Sequence, residues 1–452
     1  MTRLSVRACV LASAFVAMPT SSNARHVDLK RSDPAQNSRL QAPPTRIRLW
    51  FTERPQSALS RVRVIGPAGD VALGKLAPDT GNMLRVDIQG TMDAGAYRVV
   101  WQTATVDGHV IRGEYSFVLL GRGQIESTGV SQVASVVDPP MGQAQPLAPF
   151  GSRLARWFEF SALLVMLGAL GFRHGVLPAL ATRHVQTAGA ADRARRLGLA
   201  AGAFYVVAAL ARLAYQVLSA ELGDHALDPD VAMAIVTGSA WGLGWALGVA
   251  GALLVVVAWT VLKRTNAVGT PIALTGALGL AMSPALSGHA VSNGPFVLSV
   301  TLDAVHVGAI GVWLGGLLMV LVAGIPAMRQ LSDGDGDAAV SALVSSFHPL
   351  ALLCAPVAVL AGVGSSWIRL GSLPALTSTP YGWTLLLKIG LVALVGGMGA
   401  YNATRARRRL GATTGTRRFV GSASMELAFA GLVLVVTTAL VATPLPSAGT
   451  TP

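Results

Sequence analysis

A chain of 452 residues that is 52% hydrophobic and only 13% charged, with 50 glycines, has the profile of a polytopic membrane protein with a modest soluble part. Its formal net charge of +13 would point to nucleic acid in a soluble protein, but most of the excess lies between apolar runs, where it sets membrane orientation, so nucleic-acid binding is set aside. The two cysteines, Cys9 in the leader and Cys354 in an apolar run, provide neither a disulfide for the soluble part nor a thiolate pair for metal.

Residues 1–24 read as a secretory signal peptide. Arg3 and Arg7 precede an apolar run from Ala8 to Met18, and Ser22-Asn23-Ala24 is a small-residue end that predicts cleavage after Ala24. The run is short for an uncleaved anchor, the competing reading. Residues 25–120 then show the period of two expected of half-buried strands at Arg46–Phe51, Arg61–Ile65, Leu84–Ile88 and Tyr97–Trp101, with turns at Pro67–Asp70 and Pro78–Asn82. They predict a small Ig-like β-sandwich, exported to the outer face. Residues 121–152 are a tether rich in Gly, Ser, Gln and Pro.

From 153 to 445 the expectation is an all-α membrane bundle of about eight spans, near 154–176, 197–218, 240–262, 268–286, 297–325, 342–367, 382–402 and 423–443, followed by a tail at 446–452. Val231–Ser239 is a short apolar piece suited to lying along the surface. The odd-numbered loops hold fourteen Arg and Lys residues, whereas the even-numbered loops and the tail hold one, Arg369. The positive-inside rule therefore puts the odd loops in the cytoplasm and the β-domain and C-terminus outside, as the signal peptide also requires.

The stretch Ser283–Leu318 carries the first functional expectation. It ends one apolar run at Ser287-Gly288-His289, turns through Val291–Pro295, and re-enters the membrane with Asp303 and His306. Ionisable side chains inside a span cost roughly 2.5–3.5 kcal/mol each on insertion scales, so they are kept mainly where they act. Imidazole is a common transition-metal ligand, and Asp303 lies one helical turn from His306, in place to orient it. His289 and His306 are thus candidate ligands at the outer mouth. Glu159, Arg212 and Lys388 fall in the same outer half and are read as lining or bracing a polar vestibule there, against the alternative that they are structural ion pairs fixing helix packing.

In the soluble part, Asp107-Gly108-His109 lets a carboxylate and an imidazole converge on one ion, although a turn with an incidental histidine accounts for it equally well. His26, at or beside the mature amino terminus, adds a chelating pair of amine and imidazole suited to Cu(II), and Glu53 offers a further oxygen.

On these residues residues 26–120 resemble the CopC family of periplasmic copper-binding proteins: a mature start at histidine, Ser32-Asp33-Pro34-Ala35, Leu49–Glu53, and Trp101 through Asp107-Gly108-His109 to Gly113 and Phe117. Residues 150–445 resemble the CopD family of inner-membrane copper proteins through Ser287-Gly288-His289-Ala290, His306 with Trp313-Leu314-Gly315-Gly316-Leu317, and Thr379-Pro380-Tyr381-Gly382 with Lys388. The resemblance implies Cu(II) held by His26, Asp107 and His109 with Glu53 nearby, and copper passage through the membrane half. Two departures stand out. Arg25 intervenes before His26, which alters the geometry of a terminal copper brace. The domain has only the scattered Met83 and Met92, so no thioether-rich Cu(I) site is expected.

His348 in Ser346-Phe347-His348-Pro349 could receive copper near the cytoplasmic end, or simply face the loop. Met282 and Met319 read as packing, and Gly311-x-x-x-Gly315 as a helix-packing face. No phosphate-binding glycine loop and no Asp-Lys-Thr-Gly sequence occurs, so the chain is expected to be no enzyme. The sequence-level expectation is a multi-pass copper transport protein of a bacterial inner membrane, importing copper and serving copper resistance and homeostasis, with periplasmic copper chaperones as candidate partners. The oxidation state carried in the membrane is left open. The rival is a membrane haem or copper redox protein that passes electrons.

Overall fold

The structure is a computed structural model and describes residues 29–52, 54–78, 81–104, 110–121, 150–220, 227–263, 265–288, 295–331, 336–406, 410 and 413–443. The signal peptide and tail, most of the tether, and His26, Glu53, Asp107, His109 and His289 lie outside the described residues.

Among the described residues the N-terminal part forms nine strands: β1 (Leu29–Asp33), β2 (Arg39–Leu40), β3 (Arg46–Phe51), β4 (Arg61–Gly66), β5 (Gly69–Asp70), β6 (Ala77–Pro78), β7 (Met83–Asp87), β8 (Gly95–Ala104) and β9 (Val110–Leu119). They form two sheets, ordered β1-β3-β7-β6 and β2-β9-β8-β4-β5; every pairing is antiparallel except β2 with β9. Alternation does the sorting. On β3, Ile47, Leu49 and Phe51 enter the core, while Arg48 points outward and lays its guanidinium over Trp50. The two inner faces meet around Trp101, Phe51, Tyr97 and Phe117, with the Phe51 and Trp101 rings edge to face at 5.1 Å. Trp101 pairs across the sheet with Gly113, where a Cβ would fall 2.4 Å from the indole. The tryptophan and glycine that carried much of the family resemblance are therefore one packing unit.

Among the described residues, eight helices are long and apolar enough to cross a membrane: α1 (Phe150–Ala181), α2 (Ala188–Ser219), α4 (Ala240–Val261), α5 (Asn266–Leu286), α6 (Phe296–Met328), α7 (Gly336–Leu370), α9 (Pro380–Arg405) and α10 (Thr414–Ala442). Two shorter ones, α3 (Pro229–Gly238) and α8 (Ala375–Ser378), lie between them in the chain. Several spans run longer than the apolar runs alone predicted. Their ends carry polar and basic residues that belong at the membrane surface yet still complete helical turns. Glycines set the closest approaches. A Cβ on Gly168 would lie 2.1 Å from the Gly315 backbone, and one on Gly251 would lie 2.7 Å from the Gly276 carbonyl, so α1 meets α6 and α4 meets α5 with backbones nearly touching. Gly311 likewise faces Leu167, which makes the Gly311-x-x-x-Gly315 pair the packing face that its spacing suggested.

Helix α3 is the short surface piece expected near residues 231–239, capped by the Asp228 side chain. It is also where the two halves touch. Leu59, in a single turn of 3₁₀ helix at Ser57–Leu59, is fully buried among Val217, Val231, Ile235 and Trp241. Arg112 on β9 donates to the Ser219 carbonyl at 2.8 Å. The ends of β8 and β9, which the segment containing Asp107 and His109 joins, are therefore seated beside the membrane end where α2 finishes and α4 begins.

A histidine and two ion pairs in the membrane half

Helices α5 and α7 end, and α6 and α9 begin, on the face that holds the sandwich; at the opposite end Arg173 donates to Asn266 and Arg193 to Gln330. Near the sandwich side the polar residues of the bundle sort into two clusters.

The first joins α1, α2, α4 and α5. Arg212 donates to Glu159 at 2.6 Å, with both side chains almost wholly buried, and its guanidinium lies over the Trp241 ring at 4.9 Å. Tyr205, also buried, reaches Ser283 Oγ at 3.4 Å. Small residues make the room: a Cβ on Gly248 would lie 2.2 Å from the Tyr205 hydroxyl. A pair so enclosed offsets the cost of burying each charge mainly by having the other as partner.

The second joins α6, α7 and α9. Asp303 accepts from Arg369, with both side chains largely shielded. Tyr381 and Lys388 lie within electrostatic reach of both Asp303 and Arg369. The Thr379-Pro380-Tyr381-Gly382 motif is built for this placement. Thr379 Oγ1 accepts from the Gly382 N–H at 3.0 Å and starts α9, and Gly382 leaves no space for a Cβ beside the Ala375 and Leu376 carbonyls, so Tyr381 is held in the interior.

His306 belongs to this second cluster. Its ring lies along α7 in a notch that Gly362 leaves open, where a Cβ would fall 2.7 Å from the imidazole, and its Nδ1 is 2.6 Å from the Ala358 carbonyl oxygen. A carbonyl can only accept. Nδ1 therefore carries the hydrogen, and Nε2 keeps a lone pair. This is the arrangement in which a backbone carbonyl fixes the tautomer of a metal-ligating histidine.

Two expectations change. Asp303 does not orient His306; its hydrogen bond goes to Arg369, and the Ala358 carbonyl takes the orienting role because α6 and α7 lie closer together than sequence spacing can reveal. Glu159 and Arg212 are not gathered around His306 either: the charges bearing on the imidazole are Lys388, Asp303 and Arg369. Of the residues assigned to a vestibule, Lys388 alone joins the histidine, and Glu159 with Arg212 makes the packing ion pair of the alternative reading. His348 is half-buried in α7, one residue before Pro349. No group of three or more His, Cys, Asp or Glu residues with metal-holding geometry occurs among the described residues. Arg369, counted in the sequence only as the one basic residue of the even-numbered loops and tail, is the partner of Asp303 in this cluster, and its isolation there was the signal for such a role.

Comparison with known proteins agrees with this architecture. The CopC domain family matches residues 29–119, the copper resistance protein D-like N-terminal domain matches 148–298, and copper resistance protein D matches 341–440. Copper transport protein CutJ of Bacillus subtilis is 24% identical over 453 residues, covering 97% of this chain and 77% of that protein. Protein YobA of Escherichia coli is 29% identical over 110 residues, 24% of this chain and 89% of its own. Among solved structures, PcoC, a methionine-rich copper resistance protein from Escherichia coli, shares 29% identity and covers 21% of this chain and 99% of its own, with a TM-score of 0.20. CopC from Methylosinus trichosporium OB3b shares 22% identity over 22% of this chain and 100% of its own, with a TM-score of 0.21. The chain thus joins a CopC domain to the membrane domains of copper resistance protein D, and belongs with the copper resistance and copper transport proteins.

Proposed function

We propose that the protein captures Cu(II) on the outer face of a bacterial inner membrane and passes copper inward through the helical bundle. His26, Asp107 and His109, with Glu53 nearby, hold Cu(II) on the sandwich. His306 Nε2, with His289, receives the ion at the outer mouth. The sandwich rests on α2 and α4, and the following helix α5 ends on the same face just before His289 in the sequence, which supports a transfer on that face. The arginine-rich loops support a cytoplasmic assignment of the opposite face, and with that orientation the membrane potential favours cation entry.

The observation that supports the membrane part is the hydrogen bond from His306 Nδ1 to the Ala358 carbonyl, which leaves the Nε2 lone pair of the neutral ring available to a metal ion. Lys388 adds a constraint. A positive charge close to the ligand repels an arriving copper ion, so copper occupancy and the charge on Lys388 oppose each other. The test is copper uptake into proteoliposomes of known orientation. His306→Ala is expected to lower the rate ~10-fold or more, as loss of a metal contact does, and wild-type rates in both His306→Ala and His289→Ala reject the assignment. His26→Ala and His109→Ala are expected instead to weaken Cu(II) binding in a titration of the whole protein.

A further inference from the structure

Three carboxylates lie inside the described bundle at points where water is scarce, and they are not treated alike. Glu159 has Arg212 and Asp303 has Arg369. Glu426, in the middle of α10 and 2% exposed, has no cationic partner among the described residues. Its one hydrogen bond comes from Asn402 Nδ2 at 2.7 Å, and Asn402 in turn accepts from the Ser422 hydroxyl at 2.5 Å. The backbone is shaped around this carboxyl. Asn402 opens a π-helical turn, Asn402–Ala406, at the end of α9, a feature that re-aims side chains and recurs at functional sites. Gly399, one turn earlier, leaves room for Glu426 Oε1, which a Cβ there would approach to 3.2 Å, and the Trp313 ring closes the same notch from α6.

A carboxylate in such a place bears the full cost of burial unless it binds a proton or another cation. Among the described residues, the charged and titratable groups on the elements packed around it include Lys388 and Arg405 on α9, Arg417 and Arg418 on α10, Asp337 and His348 on α7, Glu159 and Arg173 on α1, and Asp303 and His306 on α6; the partner that meets Glu426 itself is the Asn402 amide. Ser422 is only half-buried and lies one turn nearer the arginine-rich end, so the polar string from Glu426 through Asn402 to Ser422 leads towards that face.

We propose that Glu426, held by Asn402 and Ser422, is a proton-binding site of the membrane domain, and that it takes up and releases a proton as copper passes. In each cycle one O–H bond forms on the carboxyl and later breaks, the proton being drawn from and returned to water; nothing is oxidised or reduced. Coupling to copper rests on the transport reading above, whereas the proton site itself does not.

Two measurements on the full-length protein separate them. In lipid nanodiscs, infrared spectra across a pH series are expected to show the C=O stretch of a protonated carboxyl that titrates, disappears in Glu426→Gln, survives in Glu426→Asp, and titrates at a different pH in Asn402→Leu. An unchanged titrating band in Glu426→Gln overturns the proposal. In proteoliposomes with a trapped pH dye, copper addition is expected to drive proton movement in the wild type, and Glu426→Gln, which can still accept the Asn402 hydrogen bond, is expected to abolish it. Wild-type protein that moves copper without protons overturns the coupling and leaves transport standing; protein that moves no copper yet shows the Glu426 band removes the transport reading and upholds the proton site.

Discussion

The sandwich and the bundle handle charge in opposite ways. On the sandwich, Arg63–Asp70 and Arg46–Asp87 lie with about half or more of each side chain in water, and the interior is closed by aromatic rings. In the bundle the Glu159–Arg212 pair is 2% and 5% exposed and joins two helices in the interior. The lesson is that similar residue pairs act as solvated decoration in one half and as fixed joints in the other, because the surrounding medium decides what an unpaired partner would cost.

The sharpest way to break that contrast is Arg212→Ala. It leaves the Glu159 carboxylate buried without its cation, and a cost of about 3–5 kcal/mol is expected, seen as early thermal unfolding of the detergent-purified protein. The double substitution Glu159→Gln with Arg212→Met removes both charges and is expected to recover much of the loss. A single variant as stable as wild type would mean that water reaches the pair and that the two halves do not differ in kind.

A smaller effect sharpens the same point from the side of packing. At Gly315 an added Cβ would sit 2.1 Å from the Leu164 carbonyl, a backbone atom that cannot swing away. Gly315→Ala is therefore expected to cost about 1–3 kcal/mol of bundle stability by overpacking. Gly390 on α9 has nothing within 4 Å of its Cβ position and serves as the control that the same change leaves nearly neutral. Equal behaviour of the two variants in a thermal scan would contradict the close crossing of α1 and α6.

What could be read from the sequence follows the same division. Strands β3, β4, β7 and β8 were visible because alternation marks a half-buried strand without any knowledge of its neighbours. The eight spans were visible because hydropathy and length are local properties. Pairing was not. That Asp303 would choose Arg369 over His306, and that Ala358 would supply the carbonyl for the imidazole, depends on how α6 and α7 lie against each other, with the partners 66 and 52 residues apart. Glu426 was readable and was passed over: it is the lone acidic residue of the last span, and an ionisable group in that setting is a site until shown otherwise.

The smallest effect belongs to the sandwich surface. Arg63 and Asp70 meet at 2.6 Å across the β4–β5 turn, yet their side chains are 45% and 56% exposed. Water competes for both ends and salt screens what is left, so Arg63→Ala is expected to change stability by less than about 0.5 kcal/mol, and less still as salt is raised. Arg112 is the informative neighbour, because the same kind of residue on the same sheet donates from Nε to buried Gln102 within the sandwich and from its outer nitrogen to the Ser219 carbonyl of the bundle. Arg112→Ala should therefore loosen the seating of the sandwich, visible as faster proteolytic release of the N-terminal part, and Gln102→Ala, which removes the hydrogen bond within the sandwich and leaves the Ser219 contact, serves as the control for the cost to the fold. If Arg63→Ala and Arg112→Ala release it at the same rate, the guanidinium contact at Ser219 does not hold the two halves together, and among the described residues the joint rests on Leu59 in its apolar socket.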